Sequence, residues 1–163
     1  IDFGVVTAPS QTIPDDSWKP VRPVQDCFIA GSRFAALAGR VLSYRELEKL
    51  PLICLEKNTS SRRFLDEYLA GRQVRLTPEF ELATSDMIVQ FAARNMGIGC
   101  AAEGFAAEER EKGHVFALAF EEGLPVRQMC VVTDNRLPLS PAARRLLEMM
   151  EGQNINTDYE EYK

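Results

Sequence analysis

Two runs of hydroxyl side chains are the places where this chain offers ligand chemistry: Thr59-Ser60-Ser61 and Thr84-Ser85. Each stands just before residues of helical apolar spacing. The first precedes Phe64, Leu65, Tyr68 and Leu69; the second precedes Met87, Ile88, Phe91, Ala92 and Met96. A helix start leaves backbone N–H groups unpaired and carries a partial positive charge, so it attracts carboxylate or phosphate groups. A hydroxyl there also serves as a plain cap for one of those N–H groups. Both readings stand for any single residue, and the presence of two such starts adds weight to the ligand.

Other reactive side chains point away from catalysis. Cys27, Cys54, Cys100 and Cys130 each sit in or beside an apolar run, with no Cys-x-x-Cys spacing. They read as buried free thiols in a reducing cytoplasm. His114 is the sole histidine, so a metal centre is not expected, and a nucleophilic cysteine would have little choice of base. There is no Gly-x-Ser-x-Gly elbow and no Walker-type phosphate loop. His114 reads as a surface residue. Arg62 and Arg63 read as a solvated pair within reach of an anion at the neighbouring helix start. Trp18 reads as packed under a proline-rich loop or, as the other reading, as lining a cleft. Glu103, Glu108, Glu109 and Glu111 read as a solvated acidic face. No catalytic residue, cofactor or metal is expected.

The 163 residues carry a net charge of −5, with basic residues scattered in pairs such as Arg144–Arg145. That balance argues against a surface built for phosphate backbones. No apolar run has the length to span a bilayer. The chain opens on Ile1 without a basic leader and without Met, so we expect a fragment of a longer cytoplasmic protein.

The elements that must position the hydroxyls follow from periodicity. Ile1–Thr7 reads as a strand and Ala8–Pro23 as an irregular proline-rich connection. Val24–Ala30 is the next strand. Ser43 and Glu46 form a capping box before a short helix that Pro51 ends. Leu52–Leu55 is a buried strand feeding the Phe64 helix, which stops at Gly71. Val74–Leu82 reads as a strand broken by Pro78. The helix after Thr84 is apolar nearly all round, hence buried, with Gly97 as its left-handed stop, and Ile98–Ala102 follows as a buried strand. Phe105–Lys112 reads as a helix closed by Gly113, with strands at Val115–Phe120 and Val126–Thr133. Ser140-Pro141 starts a last helix burying Leu146, Leu147 and Met150. Residues 153–163 read as a polar, frayed tail. Alternating strands and helices imply α/β architecture with mixed, mainly parallel sheets flanked by helices.

The stretch Ala83–Gly104, with its capped helix and Gly97-Ile98-Gly99 step into a strand, resembles the effector-binding domain of LysR-type transcriptional regulators. Asp2-Phe3-Gly4-Val5-Val6 is similar to that family's Asp-hydrophobe-Gly-hydrophobe strand, and Leu139–Ala143 carries its Leu-Ser-Pro-Ala-Ala verbatim. Phe34-Ala35-Ala36-Leu37-Ala38 stands where the family has His-Pro-Leu-Ala. The resemblance implies a two-lobed, type-2 periplasmic-binding-protein-like fold with an incomplete first lobe. On it, 1–30 form part of lobe one and the first crossover strand, and 31–125 form lobe two. Residues 126–152 return to lobe one, and 153–163 are the tail. It further implies that a small effector binds between the lobes, lined by Thr7 and Ala8 just past the first strand, by Thr59, Ser60 and Ser61, and by Thr84 and Ser85. The implied partners are the effector, other copies in a dimer or tetramer, and DNA through a helix-turn-helix domain outside this chain. No membrane partner is expected. Two further readings are a solute-binding protein of the same fold, which four free thiols fit poorly, and a small α/β enzyme, which lacks a base.

Overall fold

The computed structural model describes residues 2–9, 18–133 and 138–152. In chain order the strands are β1 (Phe3–Pro9), β2 (Trp18–Val24), β3 (Asp26–Gly31), β4 (Val41–Leu42), β5 (Leu52–Leu55), β6 (Phe80–Leu82), β7 (Ile98–Ala102), β8 (Val115–Ala117), β9 (Ala119–Phe120) and β10 (Arg127–Thr133). The α-helices are α1 (Ser60–Ala70), α2 (Ser85–Ala93), α3 (Glu103–Glu111) and α4 (Pro141–Gly152), and 3-10 turns cover Ser32–Leu37 and Tyr44–Lys49. The chain divides into two units, one of Ile1–Val24 with Arg127–Lys163 and one of Gln25–Val126.

In the first unit β10 lies between β1 and β2, antiparallel to both. Proline-rich residues 18–23 were expected in an irregular connection, yet they form β2. Pro20 and Pro23 are tolerated because β2 is an edge strand, where an absent N–H need not break a ladder; its register shifts at Met129/Cys130. Trp18 therefore opens a strand instead of lying in a loop. Residues 10–17 of that connection and the tail 153–163 lie outside the described residues. Ser140 caps α4, its Oγ accepting the Ala143 N–H at 3.2 Å and donating to Asp2 at 2.6 Å. Ala143 is buried, and Leu147 and Met150 are half-buried on its face. Leu146 was expected inside but is exposed, because it falls beside the face that 143, 147 and 150 share.

The second unit holds a five-stranded sheet in the order β6-β5-β7-β3-β8. β5 is parallel to β6 and β7, while β3 is antiparallel to β7 and β8. Side chains alternate between two cores, as the two-residue period of a strand requires. Phe28, Ala30, Leu52, Cys54, Ile98 and Cys100 pack on one face with Leu65 and Leu69 of α1. Ile29, Ile53 and Ala101 pack on the other with Ile88, Val89 and Ala92 of α2 and Ala106 of α3. A sheet covered on both faces explains why these strands read as continuous apolar runs.

Four expectations in this unit are corrected. α2 is buried along Ile88, Val89 and Ala92 only, and Met87 and Met96 are exposed. Gly97 is not the left-handed stop. Asn95 takes that role, with φ 62°, while a Cβ on Gly97 would lie 2.8 Å from the Pro51 carbonyl oxygen. Gly97 is thus required by close approach, not by its own dihedral. Val74–Leu82 is a strand only over Phe80–Leu82, since Pro78 offers no N–H for a longer ladder. Val115–Phe120 splits into β8 and β9, and the Leu118 N–H between them bonds to the Phe28 carbonyl at 2.8 Å.

Candidate functional site

β5, β6 and β7 run parallel, so their carboxyl ends, at Leu55, Leu82 and Ala102, lie at one edge of the sheet. α1 starts after β5, α2 after β6 and α3 after β7. Helix starts beyond the carboxyl ends of parallel strands are where open α/β sheets bind ligands. A backbone bond from Glu56 N–H to the Leu82 carbonyl, 3.0 Å, ties the first two strand ends together. Thr59–Ser61 and Thr84–Ser85 are therefore brought to the same edge.

The two starts differ in how their hydroxyls are used. Thr59 Oγ1 accepts the Arg62 N–H at 3.2 Å and donates to the Glu56 carbonyl at 2.9 Å, so it is a structural cap. Thr84 is the cap residue of α2 but makes no capping bond through its side chain, and it is exposed. Asp86 sits in the first turn of α2, where the helix dipole favours it. Ser61 lines a shallow hollow at this edge with Asp26, Leu55, Arg62, Cys100 and Ala101.

Thr7 and Ala8 were expected just past the first strand. They lie inside it, because β1 pairs with β10 as far as Pro9 opposite Arg127. They belong to the first unit, and the hydroxyl-bearing helix starts belong to the second.

Arg62 is the main surprise. Read as half of a solvated pair, it is buried, with 2% of its surface exposed, while Arg63 is exposed. Its Nε donates to both carboxylate oxygens of Asp66 at 3.0 Å. Its Nη1 donates to the Leu55 carbonyl at 2.9 Å and to Glu81 Oε1 at 3.2 Å. A buried guanidinium needs this full set of partners. Asp66, four residues on, was a readable signal; Glu81, on another strand, was not.

The remaining candidates settle into structural roles. His114 is exposed and its Nδ1 is 2.7 Å from Glu109 Oε2. Hydrogen bonds from His114 and then Lys112 hold the Glu109 carboxyl below its ordinary pKa. Glu103 pairs with Arg110 at 2.7 Å. All four cysteines are free thiols, with Cys27 half-buried and the others buried. Burial, then the charge of Glu103, pushes the Cys27 thiol up to about 12. A larger hollow of about 230 Å³ lies at the far end of α1, beside Tyr44, Arg45, Arg72 and Glu122. Size alone would favour it, but Arg72 is clamped to Glu122 at 2.6 and 3.0 Å and stacked 3.7 Å over Tyr68. We place the candidate site at the helix starts, where the Thr84 side chain makes no cap bond. Among the described residues no cluster suited to a metal ion occurs.

Comparison with known proteins bears on what such an edge is for. The model of the LysR substrate binding domain matches residues 1–154. No curated protein matches the chain. Among solved structures it is similar to the regulatory domain of CcmR from Synechocystis PCC6803 in complex with 2-PG, at 22% identity and TM-score 0.79, over 96% of this chain and 74% of that one. It is similar to the effector binding domain of QuiR in complex with shikimate, at 13% identity and TM-score 0.73, over 94% and 71%. The regulatory domain of HypT from Salmonella typhimurium, in its apo form, matches at 16% identity and TM-score 0.71, over 93% and 71%. At such identities these likenesses establish shared fold alone.

Proposed function

The chain belongs to the LysR substrate binding domain family, and on that premise we propose that it is the ligand-sensing part of a LysR-type DNA-binding transcriptional regulator. Its fold is accordingly of the type-2 periplasmic-binding-protein-like kind, α/β with mixed sheets. The second unit corresponds to lobe two, and the first to the incomplete lobe one. The effector is a small molecule with an anionic group, received by the N–H groups at the starts of α1 and α2. Ser60, Ser61, Thr84 and Ser85 supply hydroxyls there, and Thr59 shapes the first start.

One observation carries this reading: two helix starts stand at the ends of neighbouring parallel strands, and the Thr84 hydroxyl makes no cap bond. The role is sensing, without catalysis or a bound cofactor. Binding acts by favouring one arrangement of the parent's subunits, which requires unequal affinity for two arrangements. The parent works as a homodimer or tetramer in the cytoplasm. It reaches DNA through a helix-turn-helix domain outside these 163 residues. Among the described residues no helix is long and apolar enough to cross a membrane.

The test is melting temperature against sulfate, shikimate and 2-PG, the last two being the ligands of the neighbours named above. A ligand that binds only the folded state raises the melting point with concentration. The expected result is a rise for at least one anion, reduced in Thr84→Ala and Ser61→Ala. A rise unchanged in both variants, or none with any anion, overturns the site.

A further inference from the structure

We propose that Arg62, acting through Glu81, is the positioning residue that sets the starts of α1 and α2 at one spacing, so that they serve as a single anion seat. This rests on the reading of those starts as the effector site and adds a device that holds them together.

Arg62 lies in the first turn of α1, its own N–H bound to Thr59 Oγ1. Its side chain turns back under the end of β5 and bonds the Leu55 carbonyl. The same Nη1 bonds Glu81, which stands opposite Cys54 in the β5–β6 register and three residues before Thr84. One guanidinium therefore joins the last residue of β5, the first turn of α1 and the strand that delivers α2. Asp66 grips Nε through both oxygens and leaves the planar group one orientation. With 1% of its side chain exposed, Arg62 cannot swing out to meet a ligand. It acts through the elements it joins.

Two contrasts sharpen the assignment. Lys57 Nζ lies 3.8 Å from the same Glu81 oxygen, but its side chain is 76% exposed, and such a pair is screened by water. Arg63, next in sequence, is exposed. The buried fork has the geometry to fix a distance, and lysine at position 62 would lack it.

The test uses the whole chain, labelled with nitrogen-15, as wild type, Arg62→Lys, Glu81→Gln and Lys57→Ala. Two amides report on the two starts: Arg63 N–H, bonded to the Thr59 carbonyl, and Ile88 N–H, bonded to the Thr84 carbonyl. Amide exchange is read first, then the shifts induced by sulfate. Glu81→Gln and Arg62→Lys are expected to speed exchange about tenfold at both amides and to weaken the sulfate response of α2 about tenfold. Lys57→Ala is expected to change neither. A merely local anchor would move Arg63 and leave Ile88 alone, and that result overturns the proposal. So does an effect of Lys57→Ala equal to that of Glu81→Gln. Glu81→Gln decides the matter should Arg62→Lys fail to fold. Wild type with no sulfate response at either start would instead sink the effector-site reading, while the exchange comparison would still decide whether Arg62 sets the spacing.

Discussion

Asn95 Oδ1 accepts the backbone N–H of Arg33 at 2.8 Å. The bond links the turn after α2 to the turn after β3, with Asn95 in the left-handed conformation. Asparagine suits both tasks: it tolerates that backbone and carries a short acceptor. Asn95→Ala is expected to lower unfolding free energy by about 1–2 kcal/mol. Asn95→Gly should cost less, since glycine adopts the conformation freely. Urea melts of the two variants check the order.

Gly31 lies under the same bond. A Cβ there would sit 2.5 Å from Asn95 Oδ1 and 2.6 Å from the Ala92 carbonyl oxygen. The second obstacle is backbone and cannot rotate aside. Gly31→Ala is expected to destabilise by about 1–3 kcal/mol, and Asn95→Ala in the same chain should relieve only part of it. A double-mutant cycle measures the coupling.

Gly97 and Gly113 predict different penalties for the same substitution. Gly97 is crowded by the Pro51 carbonyl, so Gly97→Ala costs about 1–3 kcal/mol through overpacking. Gly113 has open space around it and φ 74°. Gly113→Ala therefore costs only backbone strain, about 1 kcal/mol. Denaturant midpoints with unchanged slopes separate the two.

Thr59 and Thr84 should part company under mutation. Thr59→Ala removes a cap bond and is expected to cost about 1 kcal/mol. Thr84→Ala removes none, so stability should stay within about 0.5 kcal/mol. The effect of Thr84→Ala is expected in anion response instead, which melting curves with and without sulfate reveal.

Alkali should weaken the fold through its thiols. Burial raises Cys27 from 9.0 to about 12 and Cys54 from 9.0 to about 11. In the unfolded chain both lose their protons near 9.0, while the folded chain keeps them. The unfolded state then binds fewer protons, so stability falls as pH rises above that point. Equilibrium unfolding at intervals from neutral pH into alkali should show the decline. Ellman's reagent near neutral pH should label the folded chain far more slowly than the unfolded one.

Much of the second unit was legible because its signals are local. The capped start of α1, the Ile98–Ala102 strand and the family likeness of Ala83–Gly104 each rest on residues a few positions apart. Edge status was not legible, and β2 was missed for that reason: whether a proline-bearing segment pairs depends on what lies beside it. Gly97 was recognised as special for the wrong cause, since the carbonyl crowding it comes from Pro51, far back in the chain.

The sequence by itself determined the alternation of strand and helix, the two hydroxyl-bearing helix starts, the free thiols and the family. The first three follow from periodicity, capping and composition, which act within a turn or two of chain, and the family from the likeness of short stretches such as Leu139–Ala143. Only the tertiary structure decided that Arg62 is buried between Asp66 and Glu81, that Thr84 is left uncommitted while Thr59 is engaged, and that both starts share one sheet edge. Those facts depend on strand order and register, which arise when segments distant in sequence exclude water together. Spacing along the chain carries no measure of that.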